Sequence, residues 1–281
     1  MKIFSARRKP AFRLPPGACD AHCHVFGPAA VFPYAPNRRY TPEDAPKKEL
    51  AALHAHLGIE RTVIVQANCH GTDNRVVLDA IAADPARIRG VAVVNGDFTD
   101  TDYRKLHDGG VRGVRFNFVK HLGGAPDMEV FRRVLDRIKP LGWHVVLHVD
   151  APDIGALWEM IRSLTLPFCI DHMGRVPSAA GIEQPPFRAL LELAKLENAW
   201  IKVSGAERIS MPPYSAAVPF ARALLDAIPD RVLWGTDYPH PNPTHEADEA
   251  DLVDLIPLFA PDPKMQQRLL VDNPARLYDF E

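Results

Sequence analysis

The chain has 281 residues, with 33 Lys+Arg against 35 Asp+Glu for a formal charge of −2, and 47% of its residues are hydrophobic while 24% are charged. That is the balance of an ordinary globular protein: no stretch approaches the roughly 18 uninterrupted apolar residues of a membrane span, and no dense basic run points to nucleic acid or an anionic membrane as partner. The length fits either two domains or one α/β barrel of roughly 250 residues.

In chain order, the segment before Ala18 is basic and Pro-rich but lacks the apolar region of a secretory signal, so residues 1–17 read as an extended arm. Strand-like runs then follow at 18–26, 61–67, 88–94, 111–118, 144–149, 167–172, 199–205 and 231–237. Between them lie segments of helical periodicity at 46–57, 74–83, 101–108, 127–139, 153–163, 186–196 and 215–227, with a last one at 263–278. Short apolar runs alternating with helices are what a parallel sheet covered on both faces requires. Eight such units without a linker predict a single-domain (β/α)8 TIM barrel over residues 18–281. A doubly wound open sheet is the alternative, and it lacks a GxGxxG after the first strand. Cys19, Cys23, Cys69 and Cys169 form no CxxC pair, which points away from disulfides or a zinc ribbon and toward a reducing, cytoplasmic compartment.

A barrel carries its chemistry at the C-terminal ends of its strands. The first strand ends Asp20-Ala21-His22-Cys23-His24, so His22 and His24, two apart, share a face. Two imidazoles at a barrel mouth suit a divalent cation or stand as packed histidines. His148, His172 and Asp237 end the fifth, sixth and eighth runs, and five ligand-type residues at strand ends favour a functional cluster. No GxSxG, GxxxxGK[ST] or HExxH occurs. Adjacent Cys69 and His70 point apart on an extended segment and make a poor nucleophile–base pair.

The stretches DAHCHVFGP, VIVQANCHGTDN, RGVRFNF, GWHVVLH, IDHMGR, LWGTDYPHPN and NPARLY resemble the amidohydrolase superfamily, in particular its lactonase branch, from Pro16 to Tyr278. The resemblance implies a (β/α)8 hydrolase that opens a small acidic lactone with water. It makes Asp237 the general base and has His22, His24 and His172 polarise the lactone carbonyl or position the groups that do. Tyr40, Arg115 and Arg208 match positions that hold substrate oxygens and carboxylates. His148 stands where the dicarboxylate lactonases of that branch have a tyrosine, His121 where they have a substrate-binding arginine, and Asn68 where they have a serine. The lost arginine implies a lactone with differently placed acid groups.

The gained histidine opens two mechanisms. With a divalent metal, zinc first and manganese second, His22, His24, His148 and Asp237 would be the ligands and His172 a second acid/base. Without metal, Asp237 alone activates water and the histidines supply the electrophile. A sugar-acid lactone isomerase, a metal-dependent decarboxylase of the same superfamily and a non-catalytic binding barrel are the other functions considered. The Pro-rich loops 27–45 and 204–218 are expected to border the pocket.

Overall fold

Each predicted β-branched run forms a strand, and the strands pair in the order of the chain. The computed structural model describes residues 8–241 and 245–281, so the first seven residues of the arm and Asn242, which ends the LWGTDYPHPN motif, lie outside it. The strands are β1 Cys19–Cys23, β2 Arg61–Val65, β3 Ile88–Ala92, β4 Val111–Asn117, β5 His144–His148, β6 Phe168–Ile170, β7 Ala199–Lys202 and β8 Val232–Leu233. All neighbours are parallel, from β1 through to β8. The sheet curls back on itself: Ala21 N donates to Trp234 O at 2.9 Å, Asp237 N to His22 O at 2.7 Å and His24 N to Tyr238 O at 2.7 Å, closing the seam of a (β/α)8 barrel.

The helices are α1 Lys47–Leu57, α2 Arg75–Ile81, α3 Asp100–Asp108, α4 Met128–Ile138, α5 Ile154–Arg162, α6 Pro185–Ala194, α7 Ala206–Ile209, α8 Val218–Ala227, α9 Glu249–Asp254, α10 Ile256–Phe259, α11 Pro263–Gln267 and α12 Asn273–Tyr278. Local chemistry sets several starts. Thr99 and Asp102 form a reciprocal capping box on α3, and the Asp127 carboxylate accepts from the first turn of α4. The predicted helix at 263–278 is a helical run broken by a π turn at Arg268–Asp272. α9 and α10 escape prediction because their acidic start and Pro257 blur the apolar period. All eight strands are shorter than their apolar runs, notably β8, which ends at Leu233 rather than at residue 237.

Along β1, Cys19 and Ala21 face the barrel interior, so strict alternation would put Cys23 inside as well. A register shift intervenes: three steps of β1, from Asp20 to Cys23, pair against two of β2, from Thr62 to Ile64. This bulge turns His22 and His24 inward and leaves Cys23 in the outer layer against the helices. On β5 and β7 the interior keeps period two, with His144, Val146 and His148 on β5 and Trp200, Lys202 and Ser204 along β7 and its extension. The floor of the barrel is apolar and is completed by Tyr278 and Phe280; the Phe280 ring lies under the guanidiniums of Arg61 and Arg89, 5.2 and 4.8 Å from its centroid. Among the described residues no helix is long and apolar enough to cross a membrane, and all four cysteines are free and buried.

Candidate active site

Above the apolar floor the barrel interior turns polar. Lys202 ends β7 fully buried, with its Nζ 3.2 Å from Asp171 Oδ1 and 3.0 Å from His22 Nδ1. Asp171 follows β6 and accepts a 2.9 Å bond at Oδ2 from Arg115 Nε, projecting from β4. A lysine and an aspartate are buried this deeply only when paired. Burial would raise the Asp171 carboxyl, but the charges of Lys202 and Arg115 hold it well below the usual carboxylate range. Burial and the Lys202 charge push His22 down to about 4.

One layer higher, Asp237 sits at the centre of an imidazole cluster. Its Oδ1 lies 3.2 Å from His24 Nε2, 3.5 Å from His22 Nε2 and 3.9 Å from His172 Nε2. Its Oδ2 accepts from Arg208 Nε and NH2. Burial acts to raise the Asp237 carboxyl, and Arg208, His172 and His24 override it, so it stays ionised well below the usual range. His24 Nδ1 is 2.7 Å from Val65 O, which can only accept, so that nitrogen carries a proton. His172 Nδ1 lies 3.0 Å from Ser204 Oγ. Burial first, and neighbouring positive groups second, keep His148 well below its ordinary value; His172, held down mainly by burial and then by His22 and Arg208, stays there despite the opposing pull of Asp237.

Backbone geometry aims these groups. His172, Met173, Gly174 and Arg175 all have left-handed φ, at 53°, 52°, 62° and 53°. Such a turn costs roughly 1–2 kcal/mol for each non-glycine residue, and strain of this kind concentrates at functional sites. It brings His172 and Arg175, three residues apart, to the same cavity. Gly205, with φ of 77°, makes room for this turn, since a Cβ there would stand 2.8 Å from His172 Cβ. Asp237 also has positive φ, at 59°. Asp20 fixes the seam below it: Oδ1 accepts from His22 N and Thr236 N, both at 3.0 Å, and Oδ2 accepts from Thr236 Oγ1 at 2.5 Å and lies 3.1 Å from His54 Nε2.

The resulting cavity, about 460 Å³ including its open mouth, is lined by His24, His148, His172 and Asp237 together with Tyr40, Asn68, Arg115, His121 and Arg208. His22 lies beneath its wall. Arg175 lines it as well and had no place in the sequence reading; its Nε pairs with Asp150 at 2.9 Å and its NH1 approaches His148 Nε2 at 3.5 Å. Lys202, Asp171, Asp20 and Ser204 are the other polar residues missed. A lysine alternating with Trp200 inside a strand pattern was the available signal. Tyr40, on the loop after β1, is hydrogen-bonded to the Cys69 thiol, and burial pushes that thiol up to about 11, which leaves it a poor nucleophile at neutral pH.

Of the proposed ligand set, His22, His24 and Asp237 bring their ligand atoms within 4.8 Å of one another. His148 is in no such group among the described residues; its ring stands 5.7 Å from that of His172, and its buried Nδ1 has no hydrogen-bond partner.

Residues 19–280 match the amidohydrolase family. A 2-pyrone-4,6-dicarboxylate hydrolase of Comamonas testosteroni is 48% identical, covering 96% of this chain and 92% of its own length. A 4-sulfomuconolactone hydrolase of Rhizobium radiobacter is 46% identical, covering 97% and 94%. Among solved structures, a candidate 2-pyrone-4,6-dicarboxylic acid hydrolase of Acinetobacter baumannii with citric acid bound superposes with a TM-score of 0.82 at 27% identity, covering 94% of this chain and all of that one.

Proposed function

The chain belongs to the amidohydrolase family, and from that membership we propose that it opens a small, acidic lactone with water. One observation carries the reading: a single ionised carboxylate, Asp237, faces three imidazoles in a cavity walled by three guanidiniums. Arg115, Arg175 and Arg208, with Tyr40, Asn68 and His121, receive the acid groups and ring oxygens of the substrate. Asp237 takes a proton from water at the carbonyl carbon, and the Nε2–H of His172, whose Nδ1 is turned to Ser204 Oγ, faces the oxygen on which charge develops. Asp237 then returns the proton to the departing ring oxygen. In the free protein Arg208 makes Asp237 a weak base. A substrate acid group that takes a share of Arg208 would strengthen it, tying catalysis to an acidic substrate. Both curated relatives act on lactones with acid groups, and citric acid is bound in the solved relative. The four reduced thiols support a cytoplasmic setting.

A divalent cation, zinc first and manganese second, is the second reading. The grouping of His22, His24 and Asp237 and the Nδ1–H of His24 on Val65 O favour it, and bound metal would supply an activated water and a Lewis acid. The donor set fits poorly at its other members: Lys202 occupies the nitrogen of His22 that a ligating imidazole uses for its own N–H, Arg208 holds Asp237, and His148 stands apart.

A panel of lactones bearing one or two acid groups, followed by pH-stat and product NMR, tests the proposal. Ring-opened acid with one proton released is the expected product. Isomerised lactone or released carbon dioxide, with no ring-opened acid, would overturn it. Metal content of protein purified without chelator, with turnover before and after chelation, decides between the two readings.

A further inference from the structure

Lys202 has no part in the steps above, yet a lysine is costly to bury unless it is paired. It stands with no solvent exposure, between Asp171 and His22. Its surroundings fix its chemistry. An ammonium only donates and a carboxylate only accepts, so at His22 Nδ1 just one of the two neighbours can be satisfied. Lys202 Nζ, at 3.0 Å, is in hydrogen-bonding geometry with that nitrogen. Asp171 Oδ1, 3.2 Å from it, is not, and that oxygen has no hydrogen-bond partner. The lone pair is therefore on Nδ1, and the ring hydrogen is on Nε2.

His22 Nε2 is itself fully buried and has no hydrogen-bond partner, and it faces Asp237 Oδ1 at 3.5 Å. We infer that Lys202 is a positioning residue that locks His22 in the Nε2–H form, so that His22 presents a hydrogen-bond donor to Asp237 and withholds its lone pair from any cation beside that carboxylate. The chain of contacts runs Lys202, His22, Asp237, each orienting the next, as a base is oriented by a third group in other catalytic sets. Without the ammonium, Asp171 Oδ1 becomes the natural partner for Nδ1, the ring hydrogen moves to Nδ1, and the Nε2 lone pair turns toward Asp237. The same exchange would complete a cation site from His22, His24 and Asp237, with Asp171 supporting the ligand from behind. Lys202 thus decides which of two chemistries one set of side chains can perform. The inference deepens the lactone-hydrolase reading, but its central observable does not depend on that reading.

The test is long-range 1H–15N NMR of protein labelled at histidine, with His22 assigned by comparison with His22→Gln. The expected spectrum has His22 in the Nε2–H form; a Nδ1–H form in the unaltered protein overturns the inference. Lys202→Met should convert His22 to Nδ1–H, tighten zinc binding at least about tenfold and lower kcat by about 10–100-fold with a smaller change in KM, the size expected of groups that orient a reacting residue. Lys202→Gln retains an N–H donor and should keep the Nε2–H form and recover most of kcat. Should Lys202→Met fail to fold, the unaltered protein and Lys202→Gln still decide the matter. A Nε2–H form that survives in Lys202→Met would refute the role of Lys202. A correct tautomer pattern in a protein that opens no lactone would leave the inference standing and remove the substrate assignment.

Discussion

Asp237→Asn isolates the charge at the centre of the cavity. The amide matches the carboxylate in shape but cannot take a proton from water, so kcat should fall by at least about 10²-fold, within the 10²–10⁴ range of general-base catalysis. The change has a second cost. Arg208, with 14% of its side chain exposed, loses the anion it holds at Oδ2, and three imidazoles lose theirs at Oδ1. Breaking a buried ion pair from one side costs about 3–5 kcal/mol. An unfolding entropy near 2.1 cal/mol/K per residue gives about 0.6 kcal/mol/K for 281 residues, so Tm should drop by about 5–8 °C. Initial rates by pH-stat at 25 °C and calorimetry of the same preparation read the two effects separately. Turnover within about threefold of the parent would remove Asp237 from the role of base. An unchanged Tm would show that the Arg208 contact holds no net stability, and the electrostatic account of the site would be wrong.

Arg175→Met should raise KM by about 10–100-fold for lactones with two acid groups, the worth of one charged hydrogen-bonding partner, and change it less for those with one; equal KM values on both would place Arg175 outside substrate binding. Gly205→Ala adds a Cβ at φ of 77° against His172 and should destabilise by about 1–2 kcal/mol while lowering kcat, measured by urea melts and rates; a neutral result would mean the left-handed turn readjusts freely. Stability should peak between about pH 6.5 and 7. On the acid side, burial and Lys202 hold His22 near 4 and His144 near 3, so each stays neutral in the fold while its unfolded counterpart gains a proton below about 6.5, and stability falls by about 1.4 kcal/mol per group per pH unit. On the alkaline side, Glu207 and Glu249 overcome burial and raise His240 to about 10, so its contribution is complete below about 6.5 and is lost as pH rises through 10. Denaturant midpoints that climb steadily from pH 5 to 10 would contradict this.

The barrel was legible because its signal is periodic: runs of β-branched residues are recognised wherever both faces of a strand are buried. The same period located His148 at the end of β5, while His172 and Asp237, expected at strand ends, stand in the segments just past β6 and β8. His22 and His24 share a face as expected, but the bulge between Asp20 and Cys23 determines that the face is the inner one, and a bulge leaves no trace in an apolar pattern. Arg175 was hidden because its aim depends on four consecutive left-handed residues, of which only Gly174 carries a compositional hint. Lys202 lay inside the run 199–205 with no role assigned, and its burial depends on Asp171 and His22, which come from other strands. His148 was grouped with the histidines of β1, whereas the curvature of the barrel places it beside His172 and Arg175.

The floor of the barrel has a consequence for how the protein is made. Strands formed early in the sequence, with Cys19 and Val63 facing inward, are sealed from below by Tyr278 and Phe280, which follow every strand in chain order. During vectorial synthesis the first half-barrel is therefore an open trough that stays wet until the segment beyond β8 emerges, so its nascent forms should depend on holding factors, and a circular permutant that brings Tyr278 and Phe280 ahead of Cys19 should acquire protease resistance sooner on the ribosome.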